Sequence, residues 1–210
     1  MDLVDPAIDR YLYDLARPED AVLREMEALA RERSFPFVGP QVGRLLFLLA
    51  RSISARRVIE LGSGFGYSAY WFARAVGAEG EVILTETSPE QGREAAEFLK
   101  RGGFEDRTRV LVGDALELID RVEPPFDIVF NDIDKEQYPR VFDKARAALR
   151  PGGLLISDNM LWFGDVLESE PEEASTRGIK ELTRLLYESE EFDNVLIPLR
   201  DGVTVSAFRA

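Results

Sequence analysis

The chain has 210 residues, 45% of them hydrophobic, which fits one domain with an ordinary buried core. It contains neither cysteine nor histidine, which excludes a thiolate nucleophile, a Cys/His zinc site and a Ser-His-Asp triad, so any bound cation must take oxygen ligands. A formal charge of −13 disfavours non-specific attraction to nucleic acid or to an anionic membrane, because both depend on Lys/Arg contacts to phosphate.

At the N-terminus, Asp2, Asp5 and Asp9 depart from the basic-then-apolar layout of a signal peptide. No apolar run reaches the roughly 20 residues of a membrane-spanning helix, and the expected location is the cytoplasm. Residues 1–55 read as a helical cap. Pro18-Glu19-Asp20 opens one helix to about Arg33, with Val22, Met26, Leu29 and Ala30 at helical spacing. After the loop 34–40, the run Val42, Leu45, Leu46, Leu49 and Ile53 marks a second helix.

From residue 56 to 210 short β-rich runs alternate with helical stretches, the pattern of a parallel sheet covered by helices. The strands are Arg57–Leu61, Val82–Glu86, Arg109–Val112, Asp127–Asn131 and Leu154–Ser157. Helices fall at Tyr67–Val76, Pro89–Arg101, Ala115–Arg121, Lys135–Leu149 and Ser175–Ser189. Asn194–Leu199 and Val203–Arg209, joined by Arg200-Asp201-Gly202, form an antiparallel hairpin. The expected class is α/β, one Rossmann-like domain over 1–210, with N-terminal helices and a C-terminal hairpin.

The first strand runs into Glu60-Leu61-Gly62-Ser63-Gly64-Phe65-Gly66-Tyr67-Ser68, a glycine turn that opens a helix. Glycines let backbone approach a ligand closely, and the helix start offers unpaired N–H groups. The Gly-x-Gly-x-Gly spacing departs from that of dinucleotide enzymes, which makes a dehydrogenase a poor alternative. Glu60 would repel a pyrophosphate and suits the ammonium of a methionyl group, so the ligand reads as an adenosyl sulfonium, S-adenosylmethionine. Glu86 at the end of the second strand can accept from ribose hydroxyls, and Gly113-Asp114-Ala115 ends the third strand near an adenine. Each has a structural alternative: a simple turn, a surface charge and a helix N-cap.

Asp132 and Asp134 follow the fourth strand, and Asp158-Asn159 follow the fifth. Ligands of open α/β sheets bind at carboxyl ends of strands, so these residues should converge beside the glycine turn. Two carboxylates and an amide make a partial shell for Mg²⁺, with Mn²⁺ or Ca²⁺ as alternatives, and leave room for two neighbouring substrate oxygens. Lys135 can act as general base or hold a phenolate. Against this, Asp134 can cap a helix starting at Lys135, with Gln137 completing a capping box.

With these motifs assembled, and with Pro151-Gly152-Gly153, Asp158-Asn159-Met160-Leu161-Trp162 and Asp201-Gly202-Val203-Thr204, the chain resembles the metal-dependent O-methyltransferases of the caffeoyl-CoA and catechol type from about Val38 to Phe208. The resemblance implies a seven-stranded methyltransferase sheet, a homodimer, and a catechol-like small-molecule acceptor. It also implies Asp132, Asp158 and Asn159 as metal ligands, and Lys135 with Asp132 as the catalytic pair. The donor-contacting positions are Val38, Glu60, Gly62, Ser63, Ser68, Glu86, Asp114, Ala115, Asp132 and Asp134. Glu86 stands where the family more often has Asp, and Asn131 where an apolar residue is common. Trp162 and Phe163 can stack an aromatic acceptor or serve packing. Two rival functions are a tRNA hydroxyuridine methyltransferase, which a basic strip of Arg10, Arg17, Arg31 and Arg33 would favour, and a non-catalytic adenosyl-binding module.

Overall fold

A computed structural model describes residues 4–209; Asp2 and the outermost residues of the 1–210 domain lie outside them. Three helices come first: α1 (Pro6–Ala16), α2 (Ala21–Glu32) and α3 (Gly39–Ser52). Then follow β1 (Arg57–Leu61), α4 (Tyr67–Ala75), β2 (Glu81–Glu86), α5 (Pro89–Arg101), β3 (Thr108–Val112), α6 (Ala115–Leu118) and β4 (Phe126–Asn131). The chain ends with α7 (Tyr138–Ala148), β5 (Leu149–Ser157), α8 (Ala174–Glu188), β6 (Phe192–Ile197) and β7 (Val203–Phe208).

The seven strands form one sheet in the order β3-β2-β1-β4-β5-β7-β6. Strands β1 to β5 are mutually parallel, while β7 runs antiparallel to both β5 and β6. Strand order reverses between β1 and β4, which opens a crevice at their carboxyl ends. Both faces of the sheet are covered, so Val58, Ile59 and Leu61 of β1 and Ile128, Val129 and Phe130 of β4 are all fully buried. Val58, Ile128 and Phe130 pack with Leu46 of α3 and Phe72 of α4 on one face; Ile59, Val129 and Leu155 pack with Val141 of α7 and Leu182 of α8 on the other.

Caps set several helix starts. Asp20 accepts from the amides of Val22 and Leu23, and Leu23, Met26 and Ala30 then bury one face of α2. Ser88 accepts from the Gln91 amide at the start of α5. Helix α1, not separately expected, begins with Asp5 as cap and Pro6 in its first turn.

The expected helix 135–149 is corrected at both ends. Lys135–Gln137 is a single 3₁₀ turn, α7 starts at Tyr138, and Leu149 already belongs to β5, where it pairs with Phe126 across a register shift. Likewise the 115–121 helix is the short α6 followed by a 3₁₀ turn. Among the described residues no helix is long and apolar enough to cross a membrane.

Candidate active site

A cleft of about 1280 Å³ opens at the carboxyl ends of β1, β4 and β5, walled by α1, the 35–38 loop and the loop between β6 and β7. That volume accommodates two small molecules side by side.

On the β1 side the turn takes left-handed backbone at Gly62, Gly64 and Gly66, with φ of 79°, 56° and 88°. Thr85 braces it from β2: its hydroxyl donates to the Glu60 carbonyl at 3.0 Å and accepts from the Gly62 amide at 3.2 Å. Glu60 is fully buried and accepts from the hydroxyls of Ser63, at 3.1 Å, and Ser68. Burial pushes its carboxyl up to about 8, against the pull of both serines. Among the described residues no cation pairs with this carboxyl, which suits it to receive one from a ligand.

Glu86 accepts from the backbone N–H groups of Gly64 and Ser88, each at 2.8 Å, and so ties the turn to the next strand. Asp114 lines the cleft and also caps α6, accepting from the Leu116 and Glu117 amides, so the capping alternative for this residue is realised together with the cleft position. Val38 and Ala115 are buried in the cleft wall.

On the β4 and β5 side, the Asp132 amide donates to the Leu61 carbonyl at 2.9 Å and the Asp158 amide to the Asn131 carbonyl at 3.1 Å. The ladder is thereby carried one residue past the strands, and the two aspartates stand on one rim with the glycine turn. Lys135 is 9% exposed, and its Nζ donates to Asp132 Oδ1 at 2.6 Å and to the Ile133 carbonyl at 3.2 Å. Helix α8 fixes that turn from behind, since a Cβ on Gly178 would lie 2.1 Å from the Lys135 carbonyl oxygen.

Asp158 is 5% exposed and forms no ion pair among the described residues. Burial, then the charge of Asp132, pushes its carboxyl up to about 7. Burial likewise raises Asp132, whose side chain is 26% exposed, although Lys135 draws it down. Asn159 adopts φ of 57°, tolerable for asparagine, and its Nδ2 donates to Asp201 Oδ2 at 3.5 Å, leaving the amide oxygen as an acceptor. Among the described residues no group of three or more Asp or Glu gathers as a cation cage; the set is two carboxylates and one amide, hard oxygens that fit Mg²⁺ with free positions.

Asp134 is exposed at the cleft and makes no capping bond, so the capping box with Gln137 does not form. Asn131 is fully buried and donates to the Ser157 hydroxyl at 3.2 Å, which turns its polarity into the sheet interior. Of the four arginines whose clustering would suit RNA, Arg10, Arg31 and Arg33 are paired with Asp14, Glu27 and Glu94.

Two cleft residues escape sequence reasoning. Asp201 accepts from the Phe163 amide at 2.6 Å and from Asn159, and so anchors both the aromatic loop and the Asp158-Asn159 pair. Arg200 donates to the Phe37 carbonyl at 2.8 Å. The signal for them is the 201–204 motif in the hairpin turn, of which Asp201 is the first residue and Arg200 the preceding neighbour.

The family model described as O-methyltransferase matches residues 16–208. A catechol O-methyltransferase from Niastella koreensis is 32% identical over 92% of this chain and 90% of its own length. One from Mycobacterium tuberculosis is 32% identical over 91% and 88%. Among solved structures, the O-methyltransferase TomG from Streptomyces achromogenes in complex with SAM superposes with a TM-score of 0.90 at 29% identity, covering 97% of this chain and 96% of that one. The Bacillus cereus O-methyltransferase in complex with SAH gives 0.89 at 28% identity, covering 97% of each.

Proposed function

Because the chain belongs to the O-methyltransferase family, we propose that it transfers the methyl group of S-adenosylmethionine to a hydroxyl of a small catechol-like acceptor, aided by a divalent cation. The observation that carries this reading is the pair Glu60 and Asp158: two buried carboxylates, neither in an ion pair among the described residues, on the β1 and β5 sides of one cleft. Each lacks the cation that its burial calls for. A donor ammonium supplies one and Mg²⁺, Mn²⁺ or Ca²⁺ the other.

On this reading Glu60 receives the donor's ammonium, Glu86 its ribose hydroxyls, and Gly62, Ser63, Ser68, Val38, Asp114, Ala115, Asp132 and Asp134 border the donor. Asp132, Asp158 and Asn159 hold the cation, Mg²⁺ being the best match to hard oxygen donors. Held by these three residues, a divalent cation would supply Lewis-acid chemistry that lowers the pKa of an acceptor hydroxyl. Lys135 handles the acceptor's charge and proton: its Nζ is the one lysine amine among the described residues lining the cleft. It also lies 6.0 Å from the Trp162 ring centre, where an aromatic acceptor would stack. The acceptor oxygen forms a bond to the methyl carbon as the carbon–sulfur bond breaks, leaving a neutral thioether. Positioning supplies most of the rate.

The proposal extends to a cytoplasmic homodimer, for which the exposed stripe Ile8, Tyr11 and Leu15 on α1 offers an apolar face that sedimentation would test. Labelled methyl donor incubated with catechol-type acceptors, with and without Mg²⁺ or chelator, tests the whole. Labelled product that vanishes with chelator is expected; incorporation indifferent to metal removes the cation from the account, and none into any hydroxylated acceptor removes the acceptor class.

A further inference from the structure

Five cationic side chains line the cleft: Arg10, Arg17, Arg31, Lys135 and Arg200. Arg10, Arg31 and Lys135 already face the carboxylates of Asp14, Glu27 and Asp132. Of the other two, Arg17 is exposed just past the end of α1, with no side-chain bond among the described residues. Arg200 is different, because the fold is arranged to hold it.

Arg200 takes a left-handed backbone, φ 50°, where a side chain is strained. Its Nη1 donates to the Phe37 carbonyl at 2.8 Å, and its guanidinium carbon lies 5.9 Å from the Phe37 ring centre. It also occupies space that only a glycine at position 39 leaves open: a Cβ there would stand 2.3 Å from Arg200 Nη1. One of five N–H donors is thereby used, and the rest of the fork stays available. Among the described residues Arg200 forms no ion pair, and the neighbouring Asp201 instead accepts from the Phe163 amide and Asn159. A fixed guanidinium with no carboxylate partner among the described residues, at the edge of a substrate cleft, is a carboxylate receptor by its chemistry.

The carboxylate has two possible bearers, the acceptor and the amino-acid end of the methyl donor. Location favours the acceptor. Asp201, the next residue along, is bonded to Asn159 and to the Trp162-Phe163 loop, so the 200–201 turn belongs to the rim where acceptor oxygens and ring would lie, and the Arg200 guanidinium reaches from there to the Phe37 carbonyl beside Val38. Phe163, 60% exposed, and Trp162, with ring centres 5.8 Å apart, supply an aromatic wall on the same loop.

We propose that Arg200 is a specificity-determining residue that binds a carboxylate carried by the acceptor, so that the preferred acceptors are vicinal dihydroxyaryl carboxylic acids rather than neutral catechol. This rests on the methyltransferase reading above. The test compares kcat/KM for catechol, protocatechuate and caffeate in the wild type, Arg200→Lys and Arg200→Leu, together with the donor Kd of each by calorimetry. The wild type should favour at least one acid over catechol by roughly tenfold or more, the strength of a charge-assisted contact. Arg200→Leu should erase that ratio and Arg200→Lys keep part of it, with the donor Kd moving less than about twofold. An acid-to-catechol ratio that stays put in both variants overturns the proposal. So does a ratio that stays put while donor binding weakens, which would give the guanidinium to the donor instead. Absence of turnover for all three acceptors with Mg²⁺ and Mn²⁺ present overturns the parent reading and this inference together, and is distinct from the other two results.

Discussion

Gly62 and Asp132 meet backbone to backbone: a Cβ on Gly62 would lie 2.7 Å from the Asp132 carbonyl oxygen, while the Asp132 amide bonds the carbonyl of Leu61 beside it. This contact joins the glycine turn of β1 to the acidic rim of β4. It makes the two halves of the cleft one rigid unit, so that a donor and a cation bound to them would have a fixed separation.

Gly62→Ala should break that unit. The φ of 79° costs an alanine about 1–2 kcal/mol, and the carbonyl must also move away. Urea unfolding is expected to show a loss of about 2 kcal/mol or more, with donor affinity reduced at least tenfold in calorimetry. Wild-type values for both would mean that the contact carries no strain.

Glu60 predicts a pH dependence with a definite sign. In the donor-free protein its carboxyl titrates near 8 rather than at the ordinary 4.5, so between those values the folded chain holds a proton that the unfolded chain has released. Its contribution to stability therefore falls as pH rises from 4.5 to about 8 and is level above that. An ammonium beside Glu60 needs the carboxylate, so below about 8 donor binding should expel a proton and tighten as pH climbs towards that value. Calorimetry in two buffers of different ionisation heat reads the proton directly. Release in the wild type and none in Glu60→Gln is expected; equal proton counts would take Glu60 out of the donor site.

Glu27 is the buried knot of the N-terminal cap. It accepts from Tyr13 and Tyr67, each at 2.8 Å, and pairs with Arg31 at 2.8 Å, which ties α1 and α2 to the helix behind the glycine turn. Burial, with Glu27 beside it, keeps the Tyr67 phenol protonated. Glu27→Ala leaves that hydroxyl buried without its acceptor and should cost about 2–4 kcal/mol in urea unfolding. A loss within about 0.5 kcal/mol, the range of an ordinary surface change, would contradict the assignment.

How much of this is legible in the chain depends on the kind of force at each place. Strands β1 and β4 are legible because both faces are buried, which leaves the β-branched and apolar residues Val58, Ile59, Ile128, Val129 and Phe130 in consecutive positions. Glu60, Asp132 and Asp158 are legible because acidic residues at the ends of such strands have few structural reasons to be there. The boundary at Leu149 is not, since a leucine satisfies the helical stripe of α7 as well as the pairing with Phe126 that claims it. Helix α1 is hidden for the opposite reason: Ile8, Tyr11, Leu12 and Leu15 are exposed and only Ala16 is buried, so its apolar residues do not trace a core face. Arg200 reaches its place through a left-handed backbone and a bond to Phe37 at the far end of the chain, neither of which leaves a local pattern. The left-handed run Trp162, Phe163 and Gly164 is equally silent, because it is set by Asp201 gripping the Phe163 amide.

Asp132, Asp158 and Asn159 are proposed to hold one divalent cation together beside the donor turn. Titration of Mn²⁺ into the protein, followed by electron paramagnetic resonance, tests it without reference to turnover. One bound ion per chain in the wild type, weakened at least tenfold in Asp158→Ala at unchanged fold, is the expected result. Mn²⁺ that binds Asp158→Ala as tightly as the wild type, or that fails to bind the wild type, would contradict the account.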